Sequence, residues 1–396
     1  MAAAVMGCKD APSTAPANTA HSARPNALLI TQAQFVARGD DLIPGPAKLV
    51  ILTPSPGHWR QEVIEDAASN VFHKAVAWRK GILTIGGEGA VLRHFTHHEN
   101  GWTPKTLWQR SWGGKFDRLR DLEIGNVDGD PADELVLATH DMGVVAIGNE
   151  NPAGGWIFTE LGKTPNTFVH EIELGDIDGD GHLEIYFTPS DRNRSNGTSQ
   201  AGQVARYVWN GHGYDRETVI DWDSSHAKEI LTADLDGDHK DELYAVREAE
   251  VTGTGADQHI LSPVRILRLA HTGKGTWSPS VVATLQDRQA RFLTPADVDG
   301  DGKLELVCAG MQSGLWLLRP HGDTLSATLI DADSSGFEHA VDAADFDGDG
   351  KDELYVAADR QHEIRRYAWD GSKFARTTLA TIPALHITWN IQDASL

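Results

Sequence analysis

Five short acidic runs in this chain have the residue types and spacing to hold a hard cation. They are Asn126, Asp128, Asp130 and Glu134; Asp176, Asp178, Asp180 and Glu184; Asp234, Asp236, Asp238 and Glu242; Asp297, Asp299, Asp301 and Glu305; and Asp345, Asp347, Asp349 and Glu353. Oxygen donors at positions 1, 3 and 5, with a carboxylate at position 9, are what calcium takes from a tight loop, at up to one ion per cassette. Their first residues lie 50, 58, 63 and 48 positions apart. A period of that size implies stacked supersecondary units. An EF-hand does not fit, because its bidentate Glu at position 12 is replaced by Leu137, Phe187, Ala245, Cys308 and Val356.

The elements that must carry these runs read as strands. An apolar strand enters each cassette and a β-rich one leaves it, as in Glu184-Ile-Tyr-Phe and Glu353-Leu-Tyr-Val. A third strand ends in phrases such as Tyr207-Val-Trp209-Asn-Gly, where Asn-Gly signals a hairpin. A fourth strand follows an aromatic: Trp59, Trp102, Trp156, Tyr214, Trp277 or Phe374, expected to pack between neighbouring units. Residues 70–108 keep this grammar without a cassette. The tail from His386, with Lys48–Leu52 and Trp59–Ile64, supplies a split seventh unit.

On these residues the chain resembles the FG-GAP/VCBS repeats of calcium-binding β-propellers, from about residue 63 to the C-terminus. The resemblance implies an all-β, seven-bladed β-propeller over 27–396, closed by N- and C-terminal strands; six or eight blades are the alternatives. It also implies calcium loops between the first and second strands of five blades. Such a scaffold hosts many activities, so function must be argued from a site.

In a propeller the first strand of each blade lines a central channel. Six residues before each cassette stand Arg120, His170, Lys228, Arg291 and His339. The cassette-free unit offers His73 or Lys74 there, the terminal strand His386, and His226 lies two residues further out. Acids follow: Asp121, Glu171 and Glu229, then Glu123, Glu173 and Asp342. Three readings are open. Guanidinium forks suit a carboxylate or sulfate, so the channel mouth or the blade grooves bind a carbohydrate or small anionic ligand, as in lectins that the repeat resembles. Alternatively, the histidines hold a transition metal, with Lys228 or a histidine as base, for lyase or dehydratase chemistry on a sugar or uronate. The third reading is a salt-bridged plug. No Gly-x-Ser-x-Gly elbow occurs to suggest a serine hydrolase.

The net charge is −22, and the cassettes hold 22 of the 57 acids. That balance argues against nucleic-acid or anionic-membrane partners. Val5-Met-Gly-Cys8 resembles the lipid-attachment box of bacterial lipoproteins. The resemblance implies a truncated signal and flexible tether over residues 1–26, although no basic start or apolar signal core precedes Cys8. The expected address is extracytoplasmic, secreted or anchored through Cys8. Cys308 is expected to be a buried apolar residue. A closed ring has no edge to pair, so a monomer is expected. Two stretches depart from the period, Asp191–Gln203 and Glu248–Pro263, and are expected to be binding loops.

Overall fold

A computed structural model describes residues 24–39, 41–114, 117–194, 198–254, 257–273 and 275–396. The Cys8 box and the Ser195–Gly197 part of one loop lie outside these residues. Apart from one two-stranded hairpin, the described strands form seven antiparallel sheets arranged as the blades of a propeller. The innermost strands are Phe72–Trp78, Leu119–Gly125, Thr167–Gly175, Ala227–Ala233, Ala290–Ala296, Val341–Ala344 and His386–Ala394. They head blades 1 to 7 in that order.

Blade 7 is built from both chain ends, as expected. The terminal strand His386–Ala394 is innermost and pairs with Ala27–Arg38, which pairs in turn with Ala47–Ser55 and then His58–Asp66. Ala27–Arg38 is the strand the sequence reading did not assign. It carries neither cassette nor aromatic turn, yet Leu28, Leu29 and Ile30 are fully buried. The Glu248–Pro263 departure forms a small hairpin, Glu250–Thr252 with His259–Ser262, on blade 4.

The core consists of seven apolar clusters, one between each pair of adjacent blades. Outer-strand aromatics extend these seams: Trp59 packs edge-on to Phe346 of blade 6, Trp156 against Trp78 of blade 1, and Trp277 against Tyr186 of blade 3. Cys308 is buried in one such cluster, and burial pushes its thiol far above the ordinary range.

Each cassette bridges the first and second strands of its blade. Position 4 has a positive φ in all five, at Gly129, Gly179, Gly237, Gly300 and Gly348, a conformation glycine adopts without a Cβ penalty. The position 1 carboxylate then gathers the loop's own N–H groups. Asp297 Oδ1 accepts from Gly300 and Asp301, and its Oδ2 from Gly302. Position 8 ties neighbours together: Asp241 accepts from the Asp176 amide of the preceding blade, and Asp352 from that of Asp297.

Closure through blade 7 makes its seams sensitive to volume. Leu29→Ala is expected to cost about 2–5 kcal/mol, the usual range for emptying a buried leucine site. Urea unfolding checks this, and a loss below about 1 kcal/mol would show that the N-terminal strand is not integral to the ring.

Candidate functional site: the mouth of the central channel

The bulges decide what faces the channel. In blades 1 to 5 the pairing of the first two strands skips a step at the residue six before the cassette or its equivalent: His73, Arg120, His170 with Glu171, Lys228, and Arg291 with Phe292. A β-bulge re-aims side chains locally. Regular alternation sends consecutive residues to opposite faces, but here His73 with Lys74, Arg120 with Asp121, and Arg291 with Phe292 line the same inner chamber. That chamber is small, about 30 Å³, and is also lined by Lys228, Glu338, Trp389 and Asn390.

Three expected ring members do not line it. In blade 3 Glu171 does so in place of His170, whose ring lies against those of His140 and His226. His339 has a left-handed backbone (φ 58°) just before the short inner strand of blade 6. Its Nδ1 lies 2.6 Å from the Gly310 carbonyl and its Nε2 2.7 Å from Ser334 Oγ. It is a buried structural residue, and its neighbour Glu338 faces the chamber. His386 approaches Lys48 Nζ at 3.3 Å on the third strand of its own blade. Trp389 and Asn390 take the channel position instead, because alignment by distance from a cassette fails on a strand that has none. The Asp331–Ser335 loop is tied into the same blade: Asp331 accepts from the Asp333 amide and from Tyr367 Oη and Arg376, and Ser335 bonds to Gln361.

Outside the chamber, and sharing Lys228 and Arg291 with it, lies a vestibule of about 210 Å³. Both irregular stretches border it: Asn193, Arg194 and Thr198–Gln200 on one side, Glu248, Ala249 and Val251 on the other. It contains Glu248, the first residue of the second irregular stretch, which the sequence did not single out within that expected binding loop because it belongs to no motif. Gln289 donates to Glu248 at 2.9 Å, His226 Nε2 lies 3.3 Å away, Arg291 Nε 3.6 Å and Lys228 Nζ 3.7 Å. Burial alone would raise this carboxyl, but Lys228, His226 and Arg291 hold it at about 2. Burial and Arg291 bring Lys228 down to about 8, and burial brings His226 to about 4. Glu338 joins Arg291 and Arg120, the latter at 3.4 Å. Arg120 also stands 4.9 Å over the Trp389 ring, and Arg291 4.5 Å over Phe337.

The acids below the basic ring knit blades together. Asp121 accepts from the Ile172 amide of blade 3, Glu229 from Leu293 of blade 5, and Asp342 from Asp393 of blade 7. Lys74 donates to Asp121 at 2.9 Å and also to Glu123. Burial drives Glu171, Glu173 and Glu229 well above the usual carboxylate range.

The histidines form an arc. Ring centroids of His73 and His140 lie 6.4 Å apart, His140 and His170 5.2 Å, and His170 and His226 6.1 Å. Burial holds all four neutral, and each has a ring nitrogen without a hydrogen-bond partner. Among the described residues, however, no three of these nitrogens converge within 4.8 Å.

The cassettes do converge. Asp176, Asp178, Asp180 and Glu184 bring carboxylate oxygens within 4.8 Å of one another, as do three acids in each other loop: Asp128, Asp130 and Glu134; Asp234, Asp236 and Glu242; Asp297, Asp299 and Glu305; Asp345, Asp347 and Asp349. Buried Oδ1 atoms of Asp178 and Asp299 have no hydrogen-bond partner. Burial, with the neighbouring Asp charges, pushes Glu134 up to about 7 and Glu184 to about 8. Crowded hard oxygens of this kind fit a divalent cation.

Fold and site together define a seven-bladed β-propeller with acidic inter-strand loops and a basic channel mouth. The FG-GAP-like repeat family matches residues 297–356, from the blade 5 cassette into the strand that follows the blade 6 cassette. The same cassette recurs on five blades, so the matched stretch is one part of a repeat that runs around the ring. No curated protein matches it. Similar solved structures include a candidate 6-phosphogluconolactonase from Bacteroides fragilis, at 12% identity and TM-score 0.58, covering 96% of this chain and 100% of that one. A periplasmic gluconolactonase from Pseudomonas aeruginosa is 12% identical with TM-score 0.54, covering 93% and 99%. An apocarotenoid oxygenase from Synechocystis is 10% identical with TM-score 0.57, covering 94% and 93%. These likenesses concern the fold.

His339 sets a pH dependence of stability. Burial lowers its pKa from 6.5 to about 4 in the folded chain. Between those values the unfolded chain takes up a proton that the folded chain refuses, so this contribution is intact above pH 6.5 and lost as pH falls towards 4. His339→Asn, with a residue that tolerates the left-handed backbone, is expected to flatten the melting curve against pH in that window. Parallel curves for variant and wild type would show that His339 is not among the histidines that titrate in that window.

Proposed function

We propose that the protein is an extracytoplasmic, calcium-stabilised β-propeller whose channel mouth binds a small anionic ligand, a carboxylated carbohydrate. One observation carries this reading: in a chain with net charge −22, the vestibule is lined by Arg194, Lys228, Arg288 and Arg291 and by a single carboxylate, Glu248, which Lys228 and Arg291 approach. A ligand carboxylate there meets guanidinium donors that can grip it in paired fashion. Cavities of about 150 Å³ accept benzene, so 210 Å³ suits one substituted six-membered ring. Gln289, Ser199 and Thr198 add neutral hydrogen-bonding groups for hydroxyls. The proposed calcium ions would occupy the cassettes and hold adjacent strands together; the Cys8 box supports an anchored, extracytoplasmic address, and the closed ring supports a monomer.

A second reading, metal-dependent lyase or dehydratase action on a sugar or uronate, is favoured by Lys228, whose pKa of about 8 suits a general base near neutral pH. Against it stands the spread of the histidine nitrogens.

Lys228→Gln is expected to weaken binding of uronate oligosaccharides at least tenfold by calorimetry, while the melting temperature moves by no more than a few degrees. Unchanged affinity would move the ligand to another concavity. The groove of about 510 Å³ lined by Phe187, Tyr207, Arg216 and Asp221 is the alternative. Turnover of these oligosaccharides by the wild type, lost in Lys228→Gln, would instead establish the lyase reading. For calcium, a site filled at about 100 times its dissociation constant adds roughly 2.7 kcal/mol. Chelation is therefore expected to lower the melting midpoint clearly, and an unmoved midpoint would refute a stabilising role.

A further inference from the structure

Each cassette is met by one side chain from the third strand of its own blade. Arg206 Nη1 lies 3.2 Å from Asp178 and 3.5 Å from Glu184. Arg268 lies 3.7 Å from Asp236 and 2.9 Å from Glu242, and Arg319 3.4 Å from Asp299 and 3.2 Å from Glu305. Arg366 lies 2.7 Å from Asp347 and also pairs with Glu353. In every case the guanidinium bridges position 3 and position 9. Blade 2 uses Asn149 at the same place, 3.3 Å from Asp128 and 3.1 Å from Glu134.

The exception is informative. Blade 2 is also the one cassette with Asn rather than Asp at position 1, Asn126. Four loops carry four ligand carboxylates and one arginine, whereas the fifth carries three carboxylates and no arginine. Counting positions 1, 3, 5 and 9 with the bridging residue, the formal charge is the same, −3, at all five. Removing a carboxylate and removing the arginine go together within one chain.

We infer that Arg206, Arg268, Arg319 and Arg366 are built-in counter-ions that set the charge, and so the affinity, of each cassette for a divalent cation. This inference rests on the reading of the cassettes as calcium loops. Without a bound ion, the guanidinium holds two of the ligand carboxylates in place against their mutual repulsion. Once an ion binds, the same positive charge opposes it. A unit charge about 5 Å from a divalent ion in a water-like dielectric changes affinity by about tenfold. The arginines therefore trade affinity for order in the ion-free ring.

The test uses the full chain, calcium alone as probe, and calorimetry at low ionic strength with melting in chelator and in calcium. The variant Arg268→Asn/Arg319→Asn/Arg366→Asn is expected to bind calcium about tenfold more tightly at three sites. Its midpoint should fall in chelator and its calcium-induced rise should grow. The Lys counterparts, which keep the charge, should stay close to wild-type affinity. Asn149→Arg should loosen one site about tenfold, an independent check if the triple variant does not fold. Equal or weaker binding in the Asn variant, or an unaltered site in Asn149→Arg, would overturn the counter-ion role. Wild-type protein that binds no calcium would overturn the calcium reading itself, and this inference with it.

Discussion

Every blade buries its apolar faces only against its neighbours, so the pairing of Ala27–Gln34 with His386–Ala394 is the contact on which the rest depends. A four-stranded blade standing alone would expose both seams and an edge. Joining the chain ends turns seven marginal sheets into one ring in which each of the seven clusters has two walls. The channel exists only because that ring is closed. The basic residues at its mouth come from different blades, and their approach to one another is a consequence of closure rather than of any local motif.

Closure brings acids together as well, and the chain manages them by three different devices. Along the channel, carboxylates of one blade accept backbone N–H groups of the next, as Asp121 does from Ile172 and Glu229 from Leu293. Where too many remain, as at Glu171 and Glu173, burial and the neighbouring carboxylates raise their pKa and so disfavour the charged form. At Asp121 and Glu123, Lys74 supplies a fixed cation. In the cassettes a third-strand arginine does so in four loops of five. Because a buried carboxylate without a partner is costly, these arrangements are conditions of the fold as much as features of a site.

What was legible in the sequence is what is written in local spacing. The cassettes, the glycine turns, the outer-strand aromatics and the split seventh blade all recur at readable offsets, and the structure places them on blades as expected. The two irregular stretches stood out for the same reason, and both border the vestibule. What was not legible depends on backbone irregularity or distant pairing. Glu248 and Glu338 have no motif, and their importance comes from Arg291 and Arg120 on other blades and, for Glu248, from Lys228 on the first strand of its own blade. His140 lies at the far end of a second strand, outside any alignment on the cassettes. Arg268 and Arg366 stand 26 and 13 residues after the Glu they meet, an offset set by loop length and therefore irregular.

The bulges explain both the partial success of the channel alignment and its failures. Counting back from a cassette reaches a chamber-lining residue in blades 2, 4 and 5, where a bulge sits at that step, while the wider bulge of blade 3 brings Glu171 rather than His170 to the chamber. An ordinary strand would have turned the basic residue or its acidic neighbour away from the axis. In blade 6 the left-handed turn at His339 takes the place of a bulge, which rotates the phase by one and presents Glu338, an acid, where a base was expected. That single reversal matters for the mouth. Glu338 holds Arg120 and Arg291 by their guanidinium groups, while Lys228 and Arg291 remain gathered around Glu248. The ring is therefore asymmetric: one sector is neutralised internally, and the sector between blades 3 and 5, under the two irregular loops, is where positive charge borders open space.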